Sequence, residues 1–337
     1  MRVIAAAVTF FVVVGAVIAI GPRVQLDLDD VPAAPAPPAE LDGITAWLAD
    51  AESKFDDITP GAEKHVAFAT PSAPAKTPLA IVYLHGFSAT RQETHPLTER
   101  IAATLNANVY YARLAGHGRG SAPLSAVNAR EWLADTREAL AIGQLLGERV
   151  VVIGVSTGAT LATWLAMDAE SDALSALVLV SPNYGLTSRS ADVLTMPWGL
   201  NIARAIAGNT RSFEAINEAH GRYWTSSYEI RAAAEMMALV TAVNAAPLEK
   251  ITVPTLLVRS DRDVVIDMAK ADQTVERFSS ATRGTVVVTE STDPWGHVIA
   301  GDIMSPESTD VIATAVIDFV RRLSVASVEI SASTEAE

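Results

Sequence analysis

The chain has 337 residues, half of them hydrophobic, which suffices for one large α/β domain or two modest domains. Its 39 acidic and 25 basic residues give a formal net charge of −14, and no basic stripe is visible, so we expect no nucleic-acid partner. The chain has no cysteine, which excludes disulfides, a thiol nucleophile and zinc bound through cysteine.

The chain begins with an apolar segment, residues 1–21. No charged residue occurs from Val3 to Ile20, and this length is about what a helix needs to span a bilayer. Arg2 and the free amine favour a cytoplasmic N-terminus. We therefore expect a membrane anchor, with the rest of the chain outside the cytoplasm. A cleaved signal segment, which would leave a secreted or periplasmic protein, is the alternative.

A linker rich in proline and alanine follows, residues 22–42. It contains the run Val31-Pro32-Ala33-Ala34-Pro35-Ala36-Pro37-Pro38, and this proline spacing favours an extended polyproline II segment. A disordered linker is the alternative. In either form, we expect the linker to act as a stalk that holds the globular domain away from the membrane.

Strand and helix patterns alternate within residues 43–323. The continuous apolar run at 79–84 is typical of a strand that is buried on both faces. Such alternation indicates an α/β fold with a mostly parallel sheet and helices on both faces. The predicted strands are 64–70, 79–84, 108–113, 150–153, 174–180, 254–259 and 285–289, and the predicted helices are 96–105, 128–146, 268–278 and 308–323. Residues 324–337 are polar, and we expect a frayed tail there.

One long segment, residues 184–247, interrupts this alternation. It contains no convincing strand, and we interpret it as several helices inserted between consecutive strands of the sheet. An insert at this place can cover the carboxyl ends of the strands, where open α/β sheets bind ligands. Its large apolar residues either contribute to such a site or form the core of the insert, and they are Met196, Trp198, Phe213, Tyr223, Trp224, Tyr228, Met236 and Met237.

The most informative motif is Gly154-Val155-Ser156-Thr157-Gly158, which lies between the strand at 150–153 and an apolar helical pattern at 159–167. A strand, a G-x-S-x-G turn and a helix together form a nucleophile elbow. The small residues at both ends of the motif allow close backbone contact, and the turn exposes the serine hydroxyl above the sheet. Ser156 is therefore the candidate nucleophile.

Together with three further motifs, this elbow resembles the α/β-hydrolase superfamily, and within it the monoacylglycerol lipase and carboxylesterase group. The further motifs are His85-Gly86-Phe87 after the strand at 79–84, Gly116-His117-Gly118 after the strand at 108–113, and an acid and a histidine after the last two strands. The resemblance covers about residues 64–323. It implies an α/β-hydrolase fold in which residues 184–247 form a helical cap.

A serine nucleophile needs a base to remove its proton, and His297 is the candidate. Of the six histidines, only His297 follows the last strand in a turn-rich loop. The base in turn needs an acid to orient it. Asp261 and Asp263 both follow the strand at 254–259. The resemblance favours Asp263, because the family acid usually precedes a short apolar pair and a helix, and Asp261 stays as the alternative.

The resemblance also implies an oxyanion hole formed by the backbone N–H groups of Phe87 and Thr157. The implied function is a serine hydrolase that cleaves short- to medium-chain acyl esters or monoacylglycerol-like lipids through an acyl-enzyme intermediate. A peptidase, thioesterase or acyltransferase would use the same intermediate, and a non-catalytic binding protein could share the fold. No cofactor or metal is implied, since the chain has no H-E-x-x-H motif or comparable ligand cluster.

Overall fold

The computed structural model describes Gly15, residues 20–168 and residues 174–334. Its strands are β1 (His65–Ala67), β2 (Thr77–Leu84), β3 (Asn108–Tyr111), β4 (Gly147–Val155), β5 (Leu174–Val180), β6 (Thr210–Ser212), β7 (Ser227–Glu229), β8 (Thr255–Arg259) and β9 (Arg283–Val287). Its α-helices are α1 (Ile44–Glu52), α2 (Leu97–Leu105), α3 (Ser121–Ala126), α4 (Ala129–Leu146), α5 (Thr157–Leu165), α6 (Gly199–Ala207), α7 (Glu218–Tyr223), α8 (Ile230–Ala245), α9 (Met268–Glu276) and α10 (Pro306–Thr334).

Seven of these strands form one sheet, in the order β1-β3-β2-β4-β5-β8-β9. Only the edge strand β1 runs antiparallel to its neighbour β3, and the other adjacent pairs are parallel. The predicted fold class, a mostly parallel sheet with a helical insert, is therefore confirmed. The carboxyl ends of β2, β4, β8 and β9 lie along one edge of the sheet, so the loops that follow them converge there.

Apolar residues cover both faces of the sheet. In β2, Ala80 and Val82 belong to a core with residues of α4, α5 and α9, whereas Ile81 and Tyr83 belong to a second core with residues of α2 and α10. Successive side chains of a strand point to opposite faces, so a strand that is buried on both sides needs a continuous apolar run. This requirement explains the sequence of β2.

Two helix ends illustrate how local sequence sets the boundaries. Helix α4 begins where predicted, because hydrogen bonds in both directions cap its first turn. The Asn128 side chain accepts from Arg130 N (2.9 Å), and the Glu131 side chain accepts from Asn128 N. The last helix was predicted to end near Leu323, but the backbone of α10 continues to Thr334. Residues 324–334 contain no glycine or proline, so nothing in their sequence stops the helix.

The cap lies between β5 and β8 and contains α6, α7 and α8, as the sequence predicted for residues 184–247. It also contains the antiparallel pair β6–β7, so the prediction that this segment has no strand is wrong. Each of these two strands has three residues, which is too short to show a recognisable alternation. Trp224, Met236 and Met237 are buried within the fold, whereas Met196 is 51% exposed and Trp198 is 37% exposed.

The linker differs from the expected stalk. Val24, Leu26 and Leu28 are half-buried against the main core, while the residues between them are exposed. Alternation with a period of two is that of an extended chain with one face on a surface. Asp30 forms an ion pair with Arg130 of α4. Residues 22–31, hereafter the strap, therefore lie along the domain instead of extending from it.

The predicted membrane anchor lies outside the described residues, apart from Gly15, Ile20 and Gly21. Where the strap begins, the chain touches the cap, because Trp198 N donates a hydrogen bond to Pro22 O at 2.8 Å. Among the helices that the structure describes, none is both long enough and apolar enough to cross a bilayer.

Candidate active site

Ser156 stands at the sharp turn between β4 and α5. Its backbone has a φ of 51° and a ψ of −114°, which is a strained conformation for a residue other than glycine. The flanking glycines allow this turn, because a Cβ on Gly154 would lie 2.5 Å from Gly158 O and one on Gly158 would lie 2.0 Å from Leu84 O. The turn holds the Ser156 hydroxyl at the carboxyl edge of the sheet.

A continuous chain of hydrogen bonds links the three predicted residues. His297 Nε2 lies 3.0 Å from Ser156 Oγ, and His297 Nδ1 lies 2.7 Å from Asp263 Oδ2. The three residues lie in the segments that follow β4, β8 and β9, which are far apart in the sequence. The distances suit a Nδ1–H donor to the carboxylate and a Nε2 acceptor from the hydroxyl.

Asp263 and Asp261 have very different surroundings. The Asp263 side chain is fully buried, and its second oxygen accepts hydrogen bonds from Val265 N (2.8 Å) and Ile266 N (3.0 Å). Asp261 is exposed and pairs with Arg259. Only Asp263 therefore contacts the imidazole, and its orientation is fixed by two backbone donors.

The environment of His297 favours the protonated ring. Burial by itself would lower the pKa of the His297 imidazole, but the hydrogen bond and negative charge of Asp263 outweigh it and raise the pKa. Asp293 and Glu93 add to this effect with their charges. A proton taken from Ser156 by this ring would be well stabilised.

Asp293 shapes the loop that carries His297. Its buried carboxylate accepts hydrogen bonds from Trp295 N (3.1 Å), His297 N (2.8 Å) and Val298 N (2.7 Å). Three backbone donors on one carboxylate hold a tight turn in place. The sequence itself indicates this role, because Asp293 lies in the same loop as His297 and is therefore more suited to shaping that loop than to serving as the acid of the site.

The loop His85-Gly86-Phe87 passes directly beside the serine. A Cβ on Gly86 would lie only 3.3 Å from Ser156 Cβ, so glycine permits this approach. His85 holds the loop: its Nδ1 lies 2.9 Å from Gly86 O, and Leu114 N donates to its Nε2 at 3.1 Å. Burial lowers the pKa of His85 to about 4, so this ring is neutral and has a structural role.

Phe87 and Thr157, the two predicted oxyanion donors, directly follow Gly86 and Ser156, which lie close to each other. Thr157 is the first residue of α5, and the first N–H groups of a helix have no acceptor within the helix. The Phe87 ring packs edge-on against His117 and Trp132, with centroid distances of 5.8 and 6.0 Å. This packing fixes the position of the residue that follows Gly86.

One acidic side chain beneath this loop was not found in the sequence. Glu93 is buried and accepts a hydrogen bond from Gly86 N at 2.7 Å. Burial raises the pKa of Glu93 to about 8. An acid in a polar loop is usually solvated, so no local pattern sets this residue apart.

The cap contacts the same loop from above. Tyr228 of β7 packs edge-on against Phe87 at 5.1 Å, and Thr225 N donates to Ser88 O at 2.7 Å. A cavity of about 280 Å³ opens beside this contact, lined by the loop at 118–121 and by cap residues 221–227. It does not include Ser156 or His297. Within residues 20–168 and 174–323, whose side chains the structure describes, no group of three or more acidic or histidine side chains could hold a metal ion.

Residues 81–307 match the sequence profile of the alpha/beta hydrolase family, and this range is more than half of the chain. The chain belongs to the alpha/beta hydrolase family. At this coarse level the protein is therefore a hydrolase, and the suspected superfamily is confirmed. No curated protein sequence matches the chain significantly.

Solved structures support the same fold for this alpha/beta hydrolase. One, from the metagenome-derived lipolytic enzymes LipS and LipT, has 18% identity and a TM-score of 0.65 over 79% of this chain and 99% of that one. A monoacylglycerol lipase of Paleococcus ferrophilus has 16% identity and a TM-score of 0.57, with 77% and 99% covered. A soluble variant of the Saccharomyces cerevisiae monoglyceride lipase has 10% identity and a TM-score of 0.58, with 77% and 91% covered. At sequence identities this low, the structural similarity establishes a shared fold and nothing finer.

Proposed function

We propose that this alpha/beta hydrolase is a serine esterase that cleaves carboxylic esters through an acyl-enzyme intermediate. The observation that carries the proposal is the unbroken hydrogen-bond chain from Asp263 through His297 to Ser156. In this proposal Ser156 is the nucleophile, His297 the general base and acid, and Asp263 the residue that orients the ring and stabilises its charge.

In the first half of the reaction, Ser156 Oγ attacks the ester carbonyl carbon while its proton passes to His297 Nε2. The carbonyl oxygen becomes an oxyanion, which the N–H groups of Phe87 and Thr157 stabilise. Each such donor is typically worth roughly 3–4 kcal/mol in the transition state. The tetrahedral intermediate then collapses, the ester C–O bond breaks, and His297 returns the proton to the departing alcohol oxygen.

In the second half, water replaces the alcohol. His297 takes a proton from the water as it attacks the acyl carbon, and the same two N–H groups hold the second oxyanion. Collapse of this intermediate breaks the bond to Ser156 Oγ, which recovers its proton from His297. The products are a carboxylic acid and the free enzyme, and no cofactor takes part in any step.

For the substrate, we propose short- to medium-chain acyl esters or monoacylglycerol-like lipids. The support is the helical cap, whose Tyr228 and Trp224 lie against the loops that carry Phe87 and His297. A peptidase, thioesterase or acyltransferase would use the same steps as far as the acyl-enzyme.

We also propose that residues 1–21 anchor the enzyme in a membrane with its catalytic domain outside the cytoplasm, or are cleaved to give a secreted or periplasmic enzyme.

A fluorophosphonate probe tests the nucleophile. We expect it to label the wild-type protein and the Ser175→Ala variant, but not the Ser156→Ala variant. Ser175 is a matched control because it lies at the opposite end of the sheet, where its hydroxyl bonds to Val150 O. Labelling of folded Ser156→Ala would refute the assignment, and absence of labelling on the wild-type protein would favour a binding protein.

A panel of p-nitrophenyl esters of graded chain length tests the substrate class. We expect kcat/KM to rise from acetyl towards medium-chain esters if the cap receives an acyl chain. A steady fall in kcat/KM beyond butyryl would show a short-chain esterase, whose cap does not receive an acyl chain. Amide and thioester substrates in the same assay separate esterase from peptidase and thioesterase activity.

A further inference from the structure

Glu93 is a buried carboxyl group that the reaction described above does not use. It lies in the loop between β2 and α2, and it is only 2% exposed. In the part of the chain that the structure describes, no lysine or arginine acts on it, and the groups that do are Gly86, Tyr83 and His297. Burying a carboxyl group without a lysine or arginine partner is costly, so its presence calls for a reason other than stability.

The hydrogen bonds of Glu93 tie the serine-side loop to the sheet. Its Oε1 accepts from Gly86 N at 2.7 Å and from Tyr83 Oη at 2.9 Å. Tyr83 is fully buried at the end of β2, and its hydroxyl also accepts from Thr94 Oγ1 at 2.7 Å. The hydrogen-bond chain Thr94–Tyr83–Glu93–Gly86 therefore connects this loop to the last residues of the strand β2.

This hydrogen-bond chain lies close to the nucleophile. A Cβ on Gly86 would lie 3.0 Å from Glu93 Oε2 and 3.3 Å from Ser156 Cβ. The carboxyl group of Glu93 and the side chain of the nucleophile therefore both lie close to the Cα of Gly86. The next peptide group, between Gly86 and Phe87, carries the N–H that we assign to the oxyanion hole.

We propose that Glu93 is a positioning residue of the oxyanion hole, which holds the backbone at Gly86 so that Phe87 N–H points to the reacting oxygen. The inference rests on the proposed esterase function and names a further residue of the same site. A donor is effective only if it is oriented before charge develops, because reorientation during the reaction would itself cost energy. Glu93 supplies that orientation through one N–H, one residue before the donor.

The role of Glu93 requires an acceptor oxygen and not a charge. Oε1 can accept both hydrogen bonds when the side chain is ionised and when it is a carboxylic acid. A glutamine retains such an oxygen at the same position, whereas a methionine of similar size does not. Glu93→Gln and Glu93→Met therefore separate positioning from the mere filling of space.

For Glu93→Met we expect kcat on a short p-nitrophenyl ester to fall by about 10- to 100-fold, less than the roughly 10²- to 10³-fold loss of a whole donor. KM is expected to change by less than about threefold, because the oxyanion exists only in the transition state. Glu93→Gln is expected to recover kcat to within about threefold of wild type. Glu99→Met is the matched control, since Glu99 lies on α2 and bonds to His95.

Wild-type kcat in folded Glu93→Met, or an equal loss in Glu93→Gln, would overturn the proposal. Ser156→Ala is assayed in parallel: if it retains turnover, the proposed esterase mechanism itself fails. If it loses turnover while Glu93→Met does not, only the role of Glu93 is refuted.

A measurement on the wild-type protein covers the case in which Glu93→Met does not fold. The Gly86 amide proton is expected to shift with pH as Glu93 ionises, near the pKa of about 8, and not to shift in Glu93→Gln. The titratable groups that face this pair are Tyr83 and His297, and Asp263 and Asp293 act on His297 in turn. A Gly86 amide resonance that does not depend on Glu93 would contradict the hydrogen bond and hence the proposal.

Discussion

Asp263 and Asp261 are separated by two positions in the chain, yet only Asp263 reaches His297. We expect Asp263→Asn to reduce kcat by up to roughly 10⁴-fold, because an amide cannot hold the same tautomer or stabilise the imidazolium. Asp261→Asn is expected to stay within about twofold of wild type, since it removes only an exposed ion pair with Arg259. Steady-state kinetics on a short ester, with thermal melting to verify folding, measures both. The reverse ranking in folded proteins would make Asp261 the acid.

The pH dependence of the reaction follows from the state of His297. As a base, the ring must be neutral in the free enzyme, so kcat/KM rises with pH through the His297 pKa. Because that pKa is raised, we expect the midpoint of the acidic limb to lie above the ordinary value of 6.5. Asp263→Asn removes the group that favours the imidazolium, so its residual activity is expected to have a lower midpoint. A wild-type midpoint below 6.5 would contradict the contact with Asp263.

Not all site residues could be inferred from the sequence. Ser156 and Asp263 follow predicted strands, and parallel strands end at one edge of a sheet, whereas the choice of Asp263 over Asp261 came from the family resemblance. Glu93 gave no such signal, because its role depends on a loop that folds back beneath Gly86. Contacts between a loop and its own base depend on turn geometry, which residue patterns do not encode.

At the scale of elements, the strap is expected to stabilise the domain. Leu26 and Leu28 are half-buried, so replacing both with serine is expected to lower the free energy of unfolding by about 2 kcal/mol in total. Gln25→Ser with Asp27→Ser is the matched control, because these two side chains point away from the core and are exposed. Urea unfolding compares the two pairs. Equal urea midpoints for the two double variants would show that the strap adds no stability.

Length explains only part of what the sequence analysis found and missed, because the three-residue β1 lies within the predicted strand at 64–70, whereas the nine-residue helix α1 was not predicted. The strand β5 and the helix α4 have seven or more residues, which is enough for their apolar pattern to be recognised. The three-residue strands β6 and β7 are too short for that. The linker at residues 22–42 was interpreted as a stalk from its prolines at 32–38, whereas the alternating apolar residues of the strap, just before them, dock onto the domain.

For the whole molecule, the docked strap changes what a membrane anchor would do. A free stalk would let the domain move away from the bilayer, but residues 22–31 lie against the domain and Pro22 contacts Trp198 of the cap. An uncleaved anchor at residues 1–21 would therefore hold the cap close to the membrane, where a lipophilic ester is concentrated.

This arrangement predicts how the protein fractionates. Full-length protein is expected to sediment with membranes and to resist extraction by high salt, because an apolar span is not an electrostatic attachment. A chain that begins at Ile20 keeps the strap and all site residues, so we expect it in the soluble fraction with unchanged kcat on short esters. A chain that begins at Leu41 lacks the strap and is the control for its contribution to stability. If N-terminal sequencing instead finds a mature chain that starts near Ile20 in the soluble fraction of the native host, the segment is a cleaved signal. Full-length protein with an intact N-terminus in that fraction would exclude both forms of the prediction.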